Sequence, residues 1–183
     1  MDNDKRRSSN WSFIVYPESA PKEWREYLKS YKVPFAVSPL HEYDVNDEGE
    51  LKKPHYHCVI KFDSLKSYSQ VKEIIDCINQ PRPEICHSLR GSVRYFWHLD
   101  DPEKYQYDMS QYESYCGFSI DEALQPTPAQ AQRALLAIVN ICRATNINSY
   151  KELVHQAVDG NFDNDMTYAI LHNSIFFNAY FRK

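Results

Sequence analysis

Long apolar runs, paired cysteines and an excess of basic residues are all missing from this 183-residue chain. No apolar stretch approaches the roughly eighteen residues that a membrane span requires. The opening Met1-Asp2-Asn3-Asp4-Lys5-Arg6-Arg7 lacks the hydrophobic stretch of a signal peptide. A cytoplasmic protein without membrane association is therefore expected. The cysteines, Cys58, Cys77, Cys86, Cys116 and Cys142, are odd in number and widely spaced, with no CxxC pair. That argues against both a disulfide framework and a cysteine zinc site and fits reduced thiols. A formal net charge of -4 lowers the prior for broad phosphate binding, so any grip on nucleic acid must come from a local basic patch. Internal repeats and low-complexity tracts are absent too. What remains, 43% apolar and 14% aromatic residues, is enough to bury a core.

The pattern along the chain predicts an α+β fold with the order β-α-β-β-α-β. Trp11 to Tyr16 reads as a strand stopped by Pro17, and Ser19-Ala20-Pro21 opens a helix whose Trp24, Leu28 and Tyr31 share a face. Phe35 to Ser38 is a second strand and Tyr56 to Phe62 a third. Ser67 caps a helix carrying Val71, Ile74, Ile75 and Ile78, which ends before Pro81. Glu84 to Leu89 is a weaker strand, followed by a short helix from about Ser92. This split βαβ order makes an antiparallel sheet with helices on one face, and the open face is the expected place for a site. After Leu99 the chain turns polar and tyrosine-rich. Pro126-Thr127-Pro128 marks a boundary, giving a sheet domain over 1–125 and a small all-α domain over 126–183. In the latter, Thr127 caps a helix running to about Thr145 and Ser149 with Glu152 forms a capping box for a helix ending at Gly160. A last helix then carries Tyr168, Ile170, Leu171, Ile175, Phe176, Phe177, Tyr180 and Phe181. Its apolar circumference exceeds what three short helices bury, which predicts self-association through this domain.

The chemistry concentrates in Lys53-Pro54-His55-Tyr56-His57, with Ser38-Pro39-Leu40-His41-Glu42-Tyr43-Asp44 shortly before it. In a strand, i and i+2 point to one face, so His55 and His57 present two imidazoles side by side, while Cys58 points away. His41 and Asp44 from a neighbouring edge complete a set of three imidazoles and a carboxylate. Such a set suits Mn2+ best and can hold Zn2+, whereas Mg2+ prefers oxygen ligands. Lys52, Lys53, Lys61 and Lys66 surround the pair, and Arg90 and Arg94 precede a tyrosine-bearing segment, Arg94-Tyr95-Phe96-Trp97-His98. Of these, Lys52, Lys53, Lys61, Arg90 and Arg94 are the candidate nucleic-acid contacts. Tyr95, one of fourteen tyrosines, is a candidate nucleophile toward a phosphodiester, provided a base or metal assists a phenol whose ordinary pKa is near 10.

Four stretches in order, Tyr16-Pro17-Glu18-Ser19, Val33 to Asp44, Lys53 to His57 and Arg94 to Leu99, resemble the rolling-circle plasmid replication initiators of the HUH endonuclease superfamily, of the single-tyrosine type found on small plasmids of Gram-positive bacteria. The resemblance implies a ferredoxin-like catalytic domain followed by a helical oligomerisation domain. It implies a divalent cation held by His41, Asp44, His55 and His57, with Mn2+ favoured and Mg2+ or others open. It also makes Tyr95 the nucleophile in a motif like YLxH, with His98 three residues on and Tyr105 and Tyr107 as alternatives. The implied partners are plasmid origin DNA, as a single-stranded nick site and double-stranded repeats, further copies of the chain, and a host helicase and polymerase. The rival expectation is a non-catalytic single-strand-binding module, since a split-βαβ sheet with aromatics also binds single strands. The Gly/aromatic run typical of such modules is lacking, and the histidine constellation would be left unexplained.

Overall fold

A computed structural model describes residues 6–182; Met1 to Lys5 of the stretch tested for a signal peptide lie outside the described residues. The chain divides into two compact units, Met1–Leu124 and Gln125–Lys183. Among the described residues no helix is long and apolar enough to cross a membrane.

The first unit is built on a five-stranded antiparallel sheet. Its strands are β1 (Arg7–Val15), β2 (Phe35–Val37), β3 (Tyr56–Ser67), β4 (Glu84–Ile85) and β5 (Glu113–Tyr115), in the order β4-β1-β3-β2-β5. Helix α1 (Trp24–Ser30) follows β1, α2 (Tyr68–Asp76) follows β3, and α3 (Leu89–Arg94) runs into a 3-10 turn at Tyr95–Trp97; α4 (Ile120–Leu124) closes the unit. The expected β-α-β-β-α-β order is present, with β5 added at the edge. The sequence there is polar and only three residues long, too short for an alternation to register. Its pairing is supplied by β2, where Phe35 faces Tyr115 and the rings stack at 4.7 Å.

Period-two alternation sorts the strands cleanly. Trp11, Phe13 and Val15 of β1, Phe35 and Val37 of β2, and Cys58, Ile60 and Phe62 of β3 form one face, packed by Trp24 and Leu28 of α1 and Val71, Ile74 and Ile75 of α2. The other face is not open as expected. Ala36 and Val59 are covered by Val93, Phe96, Trp97, Phe118 and Ile120, so α3, the 3-10 turn and α4 form a second layer. Further boundaries differ from the sequence pattern, β1 beginning at Arg7 and β3 running on to Ser67 among them. The first helix begins at Trp24, after turns, and not at Pro21. Strand β4 stops at Ile85, and α3 starts at Leu89, where Ser88 Oγ accepts from Gly91 N at 3.0 Å, not near Ser92.

The second unit contains α5 (Pro128–Ala144), α6 (Tyr150–Val158), α7 (Asn164–His172) and α8 (Ser174–Tyr180). Thr127 and Gln130 cap α5 reciprocally, with Pro128 in its first turn. At α6 only half of the expected box forms: Ser149 Oγ accepts from Glu152 N, but the Glu152 carboxylate accepts from Asn148 N. Gly160, at φ 78°, follows its end. The single last helix predicted from apolar content is two helices. Asn173 leaves helical geometry and donates its side-chain amide to the Ala169 carbonyl, breaking the run between Leu171 and Ile175. Ile138, Leu153, Ile170 and Phe177 form the core of this unit.

Ile60 is 1% exposed at the centre of β3, flanked by β1 and β2. Ile60→Ala is expected to destabilise the protein by about 2–5 kcal/mol, read as a shift of the urea midpoint with unchanged m-value.

Candidate metal centre

Strand register brings the predicted ligands together. Beyond Val37 the pairing of β2 with β3 continues through Ser38, whose hydroxyl and backbone N–H both contact the backbone of His57. Ser38 N donates to the His57 carbonyl at 2.9 Å, His57 N donates to Ser38 Oγ at 2.9 Å, and that hydroxyl donates onward to the Pro39 carbonyl. The backbone of His41 then pairs with that of His55 through reciprocal bonds of 2.8 and 3.2 Å. Directly opposed residues point to the same side of a sheet, so His41 joins His55 and His57 there. Asp44 returns from the following turn to lie beside them.

Ligating atoms of His41, Asp44, His55 and His57 all lie within 4.8 Å of one another. Two donors each about 2.1 Å from a shared ion stand at most about 4.2 Å apart, so sub-ångström adjustment closes the set. Hydrogen bonds fix which nitrogens are available. His41 Nε2 donates to the Phe96 carbonyl at 2.9 Å and His55 Nδ1 to the Lys53 carbonyl at 2.8 Å. Their remaining nitrogens turn inward: His41 Nδ1 is 3.3 Å from Asp44 Oδ2, and His55 Nε2 is 3.2 Å from His57 Nε2. Carbonyls holding the outer N–H of an imidazole are the usual second layer of a metal site. Cys58 is fully buried in the opposite face and takes no part.

A fourth imidazole approaches the same point. His98 adopts a left-handed conformation, φ 56°, at the end of the 3-10 turn, and its Nδ1 donates to the Tyr105 carbonyl at 2.7 Å. Its Nε2 is buried, 3.7 Å from Asp44 Oδ2, and lacks a hydrogen-bond partner among the described residues. The sequence motif singled out His98 without giving it a task; its aim depends on a backbone reversal that no local pattern announces. The donor set, with this orphaned nitrogen beside it, fits a divalent transition-type cation.

Electrostatics match an assembly that expects positive charge. Burial pushes His57 well below the ordinary imidazole pKa, with the neighbouring histidines adding to the effect. Burial likewise lowers His41, outweighing the Phe96 carbonyl and Asp44. For Asp44, burial alone would raise the pKa, but a hydrogen bond from Tyr107 and the neighbouring His41 hold it below the carboxylate range. Burial thus keeps His41 and His57 available as lone-pair donors beside an Asp44 held as an anion.

Tyr95 sits over the cluster, its ring 4.9 Å from that of His57 and 4.8 Å from that of His98. Lys104 Nζ donates to Tyr95 Oη at 3.3 Å and lies 4.8 Å from the ring. The two alternative tyrosines stand elsewhere. Tyr107 is buried, stacked on His41 at 4.2 Å, and its hydroxyl donates to Asp44 Oδ1 at 2.9 Å while accepting from Tyr43 N; burial raises its pKa strongly. Tyr105 is half exposed and packs on Tyr43 at 4.6 Å. The basic candidates scatter. Lys52 and Lys61 are exposed, Lys53 is exposed but paired with Glu18 at 2.5 Å, Arg94 pairs with Asp100, and Arg90 donates to the Leu124 carbonyl.

Residues 3–121 match a family model described as plasmid replication protein, origin binding domain. The chain is similar to a replication protein of Staphylococcus aureus, 39% identical over 157 residues that cover 86% of this chain and 79% of that one. It is also similar to a replication protein RepB of Lactiplantibacillus plantarum, 43% identical over 138 residues, or 74% of this chain and 62% of the relative. A more distant likeness, 24% identity over 183 residues, links it to a replication protein RepB of Streptococcus agalactiae, covering 93% and 84%.

Because His41 and His57 resist protonation when folded, the unfolded chain binds more protons below its histidine pKa of about 6.5. Their contribution is full above that pH and is lost as pH falls beneath it; that of Asp44 follows only below about pH 4. The melting temperature of metal-free protein is expected to drop between pH 7 and 5. Mn2+ at a hundredfold excess over its Kd should add about 2.7 kcal/mol at pH 7, and a melting curve indifferent to both would contradict the site.

Proposed function

Since the chain belongs to the family of plasmid replication proteins with an origin-binding domain, we propose that this replication initiator opens its origin by nicking one strand with Tyr95, in the manner of HUH endonucleases. The observation that carries this reading is a phenol standing directly over a convergent His/Asp cluster. His41 Nδ1, Asp44, His55 Nε2 and His57 would hold a divalent cation, Mn2+ being best suited, and it would supply Lewis-acid polarisation of a phosphate oxygen.

The chain's own groups do the rest. Tyr95 Oη attacks phosphorus in line with the leaving 3'-oxygen; the O–P bond to tyrosine forms as the P–O3' bond breaks. The phenol proton is lost to solvent and the departing 3'-oxygen is protonated, leaving a free 3'-OH and a 5'-phosphotyrosine. Lys104, held as an ammonium by Asp101, donates to the phenol oxygen and favours the phenolate. Tyr107 and the Phe96 carbonyl orient Asp44 and His41. Reversal of the same step rejoins the strand, because the phosphotyrosine conserves the bond energy. Exposed Lys52, Lys53 and Lys61 are suited to phosphates of the approaching strand.

The domain boundary at 125/126 and self-association through the helical domain belong to the same proposal. Ile175 is 87% exposed and Val158 76%, with Leu136 and Leu171 also exposed in the second unit, which is the kind of surface that assembly covers. A host helicase and polymerase would then take over at the 3'-OH.

With Mn2+ and single-stranded origin DNA, wild-type protein should yield a covalent adduct on a denaturing gel. Tyr95→Phe should abolish the adduct while retaining DNA binding, and Lys104→Met should slow it at least tenfold. Binding with no adduct under any divalent metal would favour the single-strand-binding module instead. Ile175→Glu combined with Val158→Glu is expected to lower the sedimentation mass of the full chain; an unchanged mass would place assembly elsewhere.

A further inference from the structure

Beside the tyrosine, the second face of the sheet is not wholly covered. A cavity of about 460 Å3 lies between β1, β3 and α3, and Tyr95 and His57 form part of its lining. That volume falls within the roughly 300–1,000 Å3 of small-molecule sites. Its floor is Ile14 and Val59, and the Ser12 and Ser92 hydroxyls and the Glu84 carboxylate offer polar groups along its walls. A mainly apolar body with polar groups at its edge, as a nucleobase is, matches the chemistry of this lining.

Arg82 guards the cavity from the β4 side. It is exposed and lies between Pro81 and Pro83, whose rings fix φ on both sides and hold Arg82 itself extended. Unlike Arg94, Arg90 and Lys53, it has no ion pair or hydrogen bond among the described residues. A guanidinium presented on a stiff tripeptide, with no anion of its own, suits a phosphate. Arg82 and Glu84 also line a second cavity of about 320 Å3, with Arg6, Trp11, Tyr68 and His87. The two cavities therefore share a rim at the β4 edge, formed by Arg82 and Glu84.

We propose that this cavity receives an unstacked nucleobase of the nucleotide adjoining the scissile phosphate, and that Arg82 holds the next phosphate of the strand as it departs along β4. The proposal rests on the nicking reading and specifies its substrate site. Seating one base out of the stack would fix the register of the strand, so that a single phosphodiester faces Tyr95 Oη. Phosphate contact supplies affinity, and the cavity supplies position.

The test uses full-length protein, Mn2+ and labelled single-stranded oligonucleotides spanning the origin nick site. Wild-type adduct formation comes first, and its absence sinks the nicking reading separately. Given an adduct, a series carrying one abasic residue at each position around the nick is measured. One adjoining position should weaken binding about tenfold and scatter the cleavage site; equal effects at all positions would overturn the base cavity. Arg82→Gln should reduce the slope of log Kd against log salt by about 0.7, the value for one phosphate on a single strand; an unchanged slope would overturn the clamp. Ser12→Leu, which fills the cavity, should bind intact and abasic strands alike. Should that variant fail to fold, the abasic series and the exposed Arg82→Gln still decide the matter.

Discussion

The whole site depends on one antiparallel register, the reciprocal backbone pairing of His41 with His55. A slip of one residue would turn His55 and His57 into the face occupied by Cys58 and Ile60, and the hydrophobic core would receive two imidazoles. The register is therefore held by the core at least as firmly as by the ligands. Ser38 is the joint in this arrangement: its hydroxyl accepts the His57 N–H and donates to the Pro39 carbonyl, and the chain reaches His41 still paired to β3. The SPLH run is thus a device of backbone geometry, with only its last residue facing the cluster.

Concentrating three imidazoles and a carboxylate in a buried spot works against folding unless something positive enters. Burial disfavours a charge on His41 and His57, the inward nitrogens of His55 and His57 share a hydrogen bond of 3.2 Å, and the outer N–H of His55 is committed to a carbonyl. With His98 Nε2 left without a hydrogen-bond partner among the described residues, the cluster retains an unsatisfied acceptor. Such an imbalance persists in a buried site when the surrounding packing over-determines it, as the rings of Tyr107 and Tyr95 do on either side of His41.

Much of this was legible in the sequence because it is local. Alternation assigned His55 and His57 to one face and Cys58 to the other, and the caps at Ser67 and Thr127 set helix starts that the structure keeps. The less legible parts depend on distant partners. Strand β5 exists because β2 offers an edge and Phe35 offers a ring; nothing in Glu-Ser-Tyr alone demands extension. Of the residues that cover the second face, Phe96 and Trp97 fall in the short helix expected from about Ser92 and Phe118 in the polar, tyrosine-rich stretch after Leu99, and neither pattern announces a second layer. The break at Asn173 was hidden by the apolar residues on both sides, although an asparagine that binds its own backbone is a common way to stop a helix.

The ligand-bearing strand and the tyrosine differ in how they are anchored. His55 and His57 belong to a segment flanked by neighbours on both sides and backed by the largest core, whereas Tyr95 rides on a two-turn segment that ends in the left-handed residue His98. Amide exchange in such a protein proceeds at very different rates along the chain. Strand β3 is protected by ladder bonds on both sides, whereas the segment bearing Tyr95 is held by the buried side chains of Val93, Phe96, Trp97 and His98. In the proposed reaction, nucleophile and cation ligands would thus be held by separate means, side-chain packing for one and a backbone ladder for the other, so that a change in either could leave the other in place.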